Sequence, residues 1–128
     1  MKKGLDAPLY KDARGEIHRF NIKGIKFNAL FSKKDSLRSG DYHPVTQYNI
    51  VLKGILQITL RKKGKNIVMK KKTGQLIVIP SNTPHLYKSI TDSVILEWWG
   101  GPFKVKYYAP YRKLVEAQFK KKASKALK

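Results

Sequence analysis

The feature that most constrains the fold of this chain is a series of short segments in which apolar and polar side chains alternate. Ile55–Arg61 places Leu56, Ile58 and Leu60 on one face and polar side chains on the other, the period of two that is typical of a half-buried strand. Lys62–Asn66, which contains Gly64, then predicts a turn. Many short strands separated by Gly, Pro and Asn favour an all-β sandwich or barrel. The other predicted strands are Ile17–Ile22, Ile25–Phe31, Tyr48–Leu52, Ile67–Met69, Leu76–Ile79, His85–Ile90, Val94–Trp98 and Phe103–Tyr108.

The period changes to that of a helix only at the C-terminus, from Tyr111 onward. Val115, Phe119, Ala123 and Ala126 recur there at helical spacing, with lysines around them. The chain has 128 residues, which is the size of a single domain. We therefore expect a β-barrel over residues 1–112 and a basic C-terminal helix or tail over residues 113–128, fraying in its lysine-rich end.

Composition excludes several classes of protein. Hydrophobic residues make up 41% of the chain, too many for a disordered basic segment. The absence of cysteine excludes disulfide scaffolds, thiolate metal sites and cysteine nucleophiles. No stretch has the roughly 18 apolar residues of a membrane span, and Met1–Asp6 lacks the apolar core of a signal peptide. We expect a cytoplasmic protein with no membrane span.

The chain is strongly basic, with 28 Lys and Arg against 8 Asp and Glu and a net charge of +20. No zinc finger, helix-turn-helix or aromatic RNA-stacking motif accompanies this charge, so we do not expect specific binding of nucleic acid. The lysines concentrate in Lys62–Lys65, in Lys70–Lys72 and after residue 119, whereas Asp41–Gln47 contains none. We expect this charge to steer small anionic molecules towards the barrel.

A segment of polar side chains that could bind a ligand or act in catalysis begins at Asp41. Asp41, His43 and Gln47 have the same parity, so in an unbulged strand they would project from one face. Six residues separate Gln47 from Gly54. This spacing resembles the first motif of the cupin superfamily, His-x-His followed by Glu and Gly, with Asp41 at the first His, His43 at the second, Gln47 at the Glu and Gly54 at the closing Gly.

A second polar segment is similar to the second cupin motif, with Gly74, Pro80 and His85 at the matching positions. Asn82 replaces the inner Gly of that motif, and because Asn tolerates the left-handed conformation we expect the turn to survive. Two further positions depart from the pattern: Ser89 replaces an Asn, and Asp35 falls where the first motif opens with Gly. The resemblance covers the central half of the chain and implies a cupin jelly-roll barrel, or double-stranded β-helix, with a short C-terminal helix.

The resemblance also implies candidate metal ligands. In metal-binding cupins the motif residues surround one divalent ion, which assigns that role here to Asp41, His43, Gln47 and His85. Two histidines and a carboxylate suit Fe, Mn, Ni or Zn, whereas a neutral Gln is a weaker ligand, so a metal-free polar pocket is the alternative. We expect a small molecule to bind around His43, Gln47 and His85, with or without a divalent metal.

Two short segments outside these motifs resemble segments of the ketoisomerases and epimerases of dTDP-sugar pathways, which share this barrel and work without metal. Lys11–Ile17 is similar to their Asp-x-Arg-Gly segment and Tyr108–Arg112 to their closing Tyr-Ile-Arg segment, although an ordinary turn and an exposed helix start explain these residues equally well. In this alternative His43 is the catalytic base for a nucleotide-linked sugar and Asp41 assists it. A non-enzymatic binding or regulatory protein is the third alternative.

Three other residues are candidates for binding the ligand. Tyr87 shares the parity of His85, and Trp98 and Trp99 must lie on opposite faces, so that Trp99 either stacks on a ligand or belongs to the core. Glu97 shares the parity of Trp99, but an exposed position on its strand is the more ordinary one for a carboxylate. Tyr48–Leu52 is apolar on both faces and predicts a homodimer.

Overall fold

The computed structural model describes residues 9–126, with side chains described up to Phe119. Met1–Asp6, where no signal peptide is expected, therefore lies outside the described residues, as do the side chains of the lysines after residue 119. The elements, in chain order, are β1 Leu9–Asp12, β2 Gly15–Ile22, β3 Ile25–Ser32, β4 Leu37–Tyr42, β5 Gln47–Lys53, β6 Ile55–Lys62, β7 Lys65–Lys72, β8 Leu76–Ile79, β9 His85–Ser89, β10 Ser93–Trp99, β11 Lys106–Tyr107 and α1 Ala109–Ala126.

The strands form two antiparallel sheets that share one core, which makes the molecule a jelly-roll barrel. One sheet has the order β1-β2-β3-β10-β5-β8 and the other the order β11-β4-β9-β6-β7. Val51 and Ile95 from the first sheet pack with Leu56, Ile58 and Leu60 from the second. The alternation in Ile55–Arg61 thus predicted the buried face of β6 correctly, and the all-β barrel is confirmed.

The turn positions of the two motifs keep their backbone conformation despite the replacements. Gly54 and Gly74 have φ values of 103° and 88°, and Asn82, at the position of the inner Gly, has a φ of 56°. Asp35, where the first motif opens with Gly, has a φ of 67°. Asn and Asp reach the left-handed region more readily than other side chains, so the expected survival of the turn at Asn82 is confirmed.

The segment from Asp41 to Gln47 is not one strand, which corrects the assumption behind the parity argument. β4 ends at Tyr42 in the five-stranded sheet and β5 begins at Gln47 in the six-stranded sheet. The chain crosses between the sheets at Pro44, which cannot donate a ladder hydrogen bond. Asp41, His43 and Gln47 nevertheless line the same cavity because the two sheets face each other.

Strand prediction failed at three places. β4, with the sequence LRSGDY, and the short β1 were missed because neither has clear apolar alternation. The strand predicted at Phe103–Tyr108 is limited to Lys106–Tyr107. Gly100, Gly101 and Pro102 precede this segment, and the carbonyl of Lys104 accepts a hydrogen bond from a side chain rather than from a neighbouring strand.

Helix α1 begins at Ala109, two residues before the predicted start, with Pro110 in its first turn, where its missing N–H costs nothing. It buries Tyr111 and Val115 against Leu86 of β9. The Gln118 amide holds the edge of β4, because it accepts from the Leu37 N–H at 2.9 Å and donates to the Leu37 carbonyl at 2.7 Å. Among the described residues, no helix combines the length and apolarity that crossing a membrane requires.

The outer face of the six-stranded sheet is partly apolar, as the dimer prediction requires. Leu52, Leu76 and Val78 are 46–48% exposed there, and Tyr48 stacks on Trp98 with 5.6 Å between ring centroids. The inner face of β5 carries Gln47 and Asn49 beside Val51, so this strand is apolar on its outer face alone. The homodimer stays a prediction.

Candidate metal and ligand site

Three side chains that can bind a metal converge inside the barrel. Asp41 lies near the end of β4, His43 follows that strand, and His85 begins β9, the neighbour of β4. The Oδ1 atom of Asp41 lies 3.2 Å from Nε2 of His85 and 3.6 Å from Nε2 of His43. Their ligand atoms all lie within 4.8 Å of one another, and both histidines are buried.

The backbone fixes the tautomer of both histidines. The Nδ1–H of His43 donates to the carbonyl of Lys104 at 2.7 Å, and the Nδ1–H of His85 donates to the carbonyl of Thr83 at 3.0 Å. Because a carbonyl can only accept, the proton of each neutral ring is on Nδ1 and the lone pair of Nε2 faces Asp41. Histidines that bind metals are commonly held in this way through their second nitrogen.

Burial leaves Asp41 and His85 without water to hydrogen-bond their acceptor atoms, and it shifts the pKa of both groups. Burial lowers the pKa of His85 to about 4, so its ring is neutral near pH 7. Burial also raises the pKa of Asp41 to about 6. Within the described part of the chain, Oδ1 of Asp41 and Nε2 of His85 have no hydrogen-bond partner. Acceptor atoms this close require a cation between them, either a metal ion or a proton.

The donor set fits a divalent metal. Two ligand atoms that share a metal at about 2.1 Å lie roughly 3–3.5 Å apart, which is close to the separations from Asp41 Oδ1 to the two histidines. Two imidazoles and one carboxylate suit Fe, Mn, Ni or Zn. Asp41, His43 and His85 therefore have the chemistry and the spacing to hold such an ion.

Gln47 lies beside this cluster, and its amide already has partners. It donates through Nε2 to Oδ1 of Asn49 at 2.8 Å and to the Tyr87 hydroxyl at 3.2 Å, and its Oε1 accepts from Nε1 of Trp99 at 3.1 Å. The Tyr87 hydroxyl donates in turn to Asn49 at 2.6 Å, and burial raises the pKa of Tyr87 well above its ordinary value. The structure thus places Gln47 and Tyr87 in one buried network that fixes the position of Trp99.

The cluster opens onto a cavity of about 790 Å³, within the range of ordinary small-molecule sites. Trp99 faces this cavity and Trp98 the outside, as alternation requires. The rings of Trp99 and Phe103 lie 5.8 Å and 5.2 Å from the ring of His43. Two aromatic rings therefore form a wall beside the candidate metal ligands, where they can pack against a small molecule.

Glu97 lies on the cavity wall, although the sequence favoured an exposed position. Its strand, β10, pairs with β3 on one side and β5 on the other, so the inward positions of this central strand all face the barrel interior. Oε1 of Glu97 accepts from Nδ2 of Asn28 at 3.0 Å. Burial raises the pKa of Glu97, which means that the folded protein disfavours its ionised form.

The cavity also contains cationic side chains that the sequence analysis missed or read as surface residues. Arg38 belongs to β4 and pairs with Tyr87, while Asp41 pairs with His85. The register shifts between Ser39 and Asp41, so three steps along β4 correspond to two along β9, the signature of a β-bulge. The bulge brings Arg38 and Asp41 to the same cavity, although their odd separation predicts opposite faces. Arg14, Arg19, Lys26 and Arg112 also line it.

Comparison with known proteins identifies the fold. No family model and no curated protein matches the sequence. An oxalate decarboxylase of Bacillus subtilis has a TM-score of 0.71 at 15% identity, over 80% of this chain and 30% of that one. The capsular polysaccharide assembling protein CapF of Staphylococcus aureus has a TM-score of 0.67 at 15% identity, over 81% of this chain and 33% of that one. Another Bacillus subtilis oxalate decarboxylase structure, described by its Mn(II) centres, has a TM-score of 0.67 at 16% identity, over 77% and 29%.

The chain spans about a third of the length of these proteins. At such identities the likeness concerns the fold, which is that of the cupins, as the two motifs predicted.

Proposed function

We propose that this cupin-fold protein binds one divalent transition metal through His43, His85 and Asp41 and acts on a small anionic molecule in the adjoining cavity. The observation that carries the proposal is the convergence of three buried acceptor atoms, two of which have no hydrogen-bond partner in the described structure. A divalent cation is the simplest group that satisfies all three at once. The Mn(II) centres of a structurally similar oxalate decarboxylase support this class of metal.

A bound metal would supply a Lewis acid that polarises an oxygen of the ligand. The residues of the chain do the rest. The carbonyls of Lys104 and Thr83 hold the two imidazoles in the ligating tautomer. Glu97, whose pKa is raised by burial, takes up or releases a proton within the cavity. Trp99, fixed by Gln47, forms the wall against which the ligand packs and from which water is excluded.

A second candidate, a metal-independent isomerase or epimerase of nucleotide-linked sugars, is favoured by one specific observation. Because burial raises the pKa of Asp41 to about 6, its carboxyl can hold a proton and donate it to Nε2 of His85 at 3.2 Å. The lone pair of His43 Nε2 is then free to act as the base. The structural likeness to a capsular polysaccharide assembling protein supports this class of substrate.

We expect the EDTA-treated protein to bind one Mn²⁺, Fe²⁺, Ni²⁺ or Zn²⁺ per chain in isothermal titration calorimetry. His43→Gln and His85→Gln should each weaken this affinity by about 100-fold or more, because each removes a ligand rather than an outer partner. The third histidine of the chain provides a matched control. His18 bonds to Glu16 outside the cluster, so His18→Gln should leave the affinity unchanged.

Binding that is absent, or equally strong in the variants of His43 and His85, would contradict the metal site. In that case thermal unfolding with dTDP- and UDP-sugars tests the second candidate. A melting temperature that rises with the concentration of either sugar nucleotide supports the isomerase. Melting temperatures that do not change, together with no metal binding, contradict both candidates and favour the non-enzymatic alternative.

A further inference from the structure

Arg38 carries a buried charge that the protein itself only partly satisfies. Its side chain is 6% exposed and its Nε donates to Oγ of Ser32 at 2.6 Å. Its Nη2 is buried and has no hydrogen-bond partner among the described residues. Within the same residues, no carboxylate oxygen lies within 4 Å of this guanidinium, which lines the cavity.

A second guanidinium adds to the positive charge of this wall. Arg14 also lines the cavity, and the pKa of Arg38 is lowered to about 10, by burial first and by the charge of Arg14 next. Arg14 is paired, because its Nε and Nη2 donate to the carboxylate of Asp12. A buried N–H donor left unpaired costs free energy, and more when it is charged. The charges of Asp12 and Glu97 favour the ionised form of Arg38. Among the described residues neither carboxylate contacts the Arg38 guanidinium, and its Nη2 donor stays without an acceptor.

We propose that Arg38, with Arg14 beside it, forms a subsite for a singly charged oxyanion of the ligand. A carboxylate and a phosphoryl group of a nucleoside diphosphate are both oxyanions that accept hydrogen bonds, and a guanidinium binds either through its N–H donors. The bulge at Ser39 and Gly40 is what brings this donor to the same cavity as Asp41.

The position of Arg38 restricts the ligand further. Arg38 and Asp41 are three residues apart on one strand, so their Cα atoms are at most about 10 Å apart. The side chains line one cavity, so a small ligand whose oxyanion meets Arg38 can place a hydroxyl or carbonyl group against Asp41 and His43. This subsite rests on the proposed ligand-binding role of the cavity but not on the metal.

The experiment uses the full chain after EDTA treatment, in a buffer free of phosphate and carboxylate, with lactate and UDP as separate probes. We expect at least one probe to raise the melting temperature, by an amount that grows with the logarithm of its concentration above the dissociation constant, and calorimetry to give that constant. Arg38→Met should weaken that binding by about 10- to 100-fold, and Arg38→Lys, which keeps the charge and loses the fork, by a smaller factor. Binding of lactate but not UDP identifies a carboxylate as the ligand group, and binding of UDP but not lactate identifies a nucleoside diphosphate.

Arg61→Met is the matched control, because it removes the same charge at a position that does not line the cavity. Nη1 of Arg61 donates to Oδ1 of Asn66 at 3.2 Å, so its loss should change the dissociation constant by no more than about 2- to 3-fold through screened charge.

Stability without the probes separates a binding role of Arg38 from a structural one. If Arg38 exists to bind an anion, Arg38→Met should melt at the same temperature as the wild type or higher, because an unsatisfied buried charge is removed. A lower melting temperature together with an unchanged response to the probe would show a structural role and overturn the proposal. Wild-type binding of neither probe, or equal binding by wild type and Arg38→Lys where Arg38→Met does not fold, would also overturn it. The metal titration is read independently, so failure of the subsite and failure of the metal site are distinguishable.

Discussion

Replacement of Asp41 with asparagine is expected to raise the free energy of unfolding of the metal-free protein at pH 7.5 by about 2–3 kcal/mol. Asp41 is mostly buried, and burial raises its pKa from 3.8 to about 6, which means that the folded protein disfavours its ionised form. An amide at this position carries no charge. Its N–H groups can donate to the Nε2 lone pairs of His43 and His85, which the carboxylate cannot do.

The gain in stability from Asp41→Asn should depend on pH, because the wild-type carboxyl titrates at different pH values in the folded and unfolded states. Between about pH 4 and 6 the folded protein holds a proton on Asp41 that the unfolded chain has lost, so the contribution of Asp41 to stability falls as the pH rises through this range. Below about pH 4 the carboxyl is neutral in both states, and the variant should gain nothing. The advantage of Asp41→Asn should therefore appear above pH 4 and become constant above about pH 7.

Urea unfolding in EDTA at pH 4, 5, 6 and 7.5 measures this difference. Asp35→Asn, at an exposed position with a φ of 67° that asparagine also tolerates, is the control for removing a negative charge from a basic protein. His85 is present in both the wild type and Asp41→Asn, so its own effect on the pH dependence of stability is shared by the two proteins. Because its pKa falls from 6.5 to about 4 on folding, it removes stability as the pH drops through that range, in both proteins. An Asp41→Asn variant less stable than the wild type at pH 7.5 would show instead that the charge of Asp41 stabilises the fold.

The same substitution should abolish the proposed metal binding, since an amide is a poor substitute for the carboxylate ligand. A side chain that destabilises the empty protein and is required for binding is typical of a functional site, where stability is lost in favour of activity. Stability and affinity are thus expected to change in opposite directions at Asp41, whereas a purely structural residue would lower both.

Much of the barrel was predictable because strand alternation and turn chemistry act locally. Leu56, Ile58 and Leu60 are buried as their parity requires. Gly64 takes a φ of 73° in its predicted turn. The motif positions could also be recognised after replacement, because Asn82 adopts the backbone conformation that a Gly would supply.

The parts of the site that escaped prediction depend on contacts between distant segments. The carbonyl of Lys104 fixes the tautomer of His43 across 61 residues of sequence, and a backbone carbonyl leaves no mark in the sequence. Glu97 faces the cavity because it shares the inner face of β10 with Ile95 and Trp99, and the topology decides which face of a strand lies inward. Arg38 escaped because β4, which lacks clear apolar alternation, was not predicted. The bulge of β4 also places Arg38 and Asp41 in one cavity despite their odd separation.

Gly40→Ala is expected to lower the free energy of unfolding by about 3 kcal/mol or more, whereas Gly64→Ala should lower it by only about 1–2 kcal/mol. The two glycines have nearly the same φ, 72° and 73°, so the strain of a left-handed alanine is common to both. A Cβ at Gly40 would lie 2.8 Å from the backbone N and Cα of Arg112, while a Cβ at Gly64 would meet nothing within 4 Å. The difference between the two variants in urea unfolding therefore measures the clash alone.

The clash cannot be relieved without changing the site. Helix α1 is tied to the bulge, because the Tyr108 N–H donates to the Gly40 carbonyl at 2.9 Å and Nη1 of Arg112 donates to the Ser39 carbonyl at 3.0 Å. If the helix stays, the bulge must shift, and a straightened β4 would turn either Arg38 or Asp41 away from the cavity. Gly40→Ala should thus lose metal and oxyanion binding at temperatures where it is still folded, and Gly64→Ala should keep both. Equal losses of stability in the two variants, with binding retained, would show that the backbone at Arg112 yields and that the bulge does not depend on this glycine.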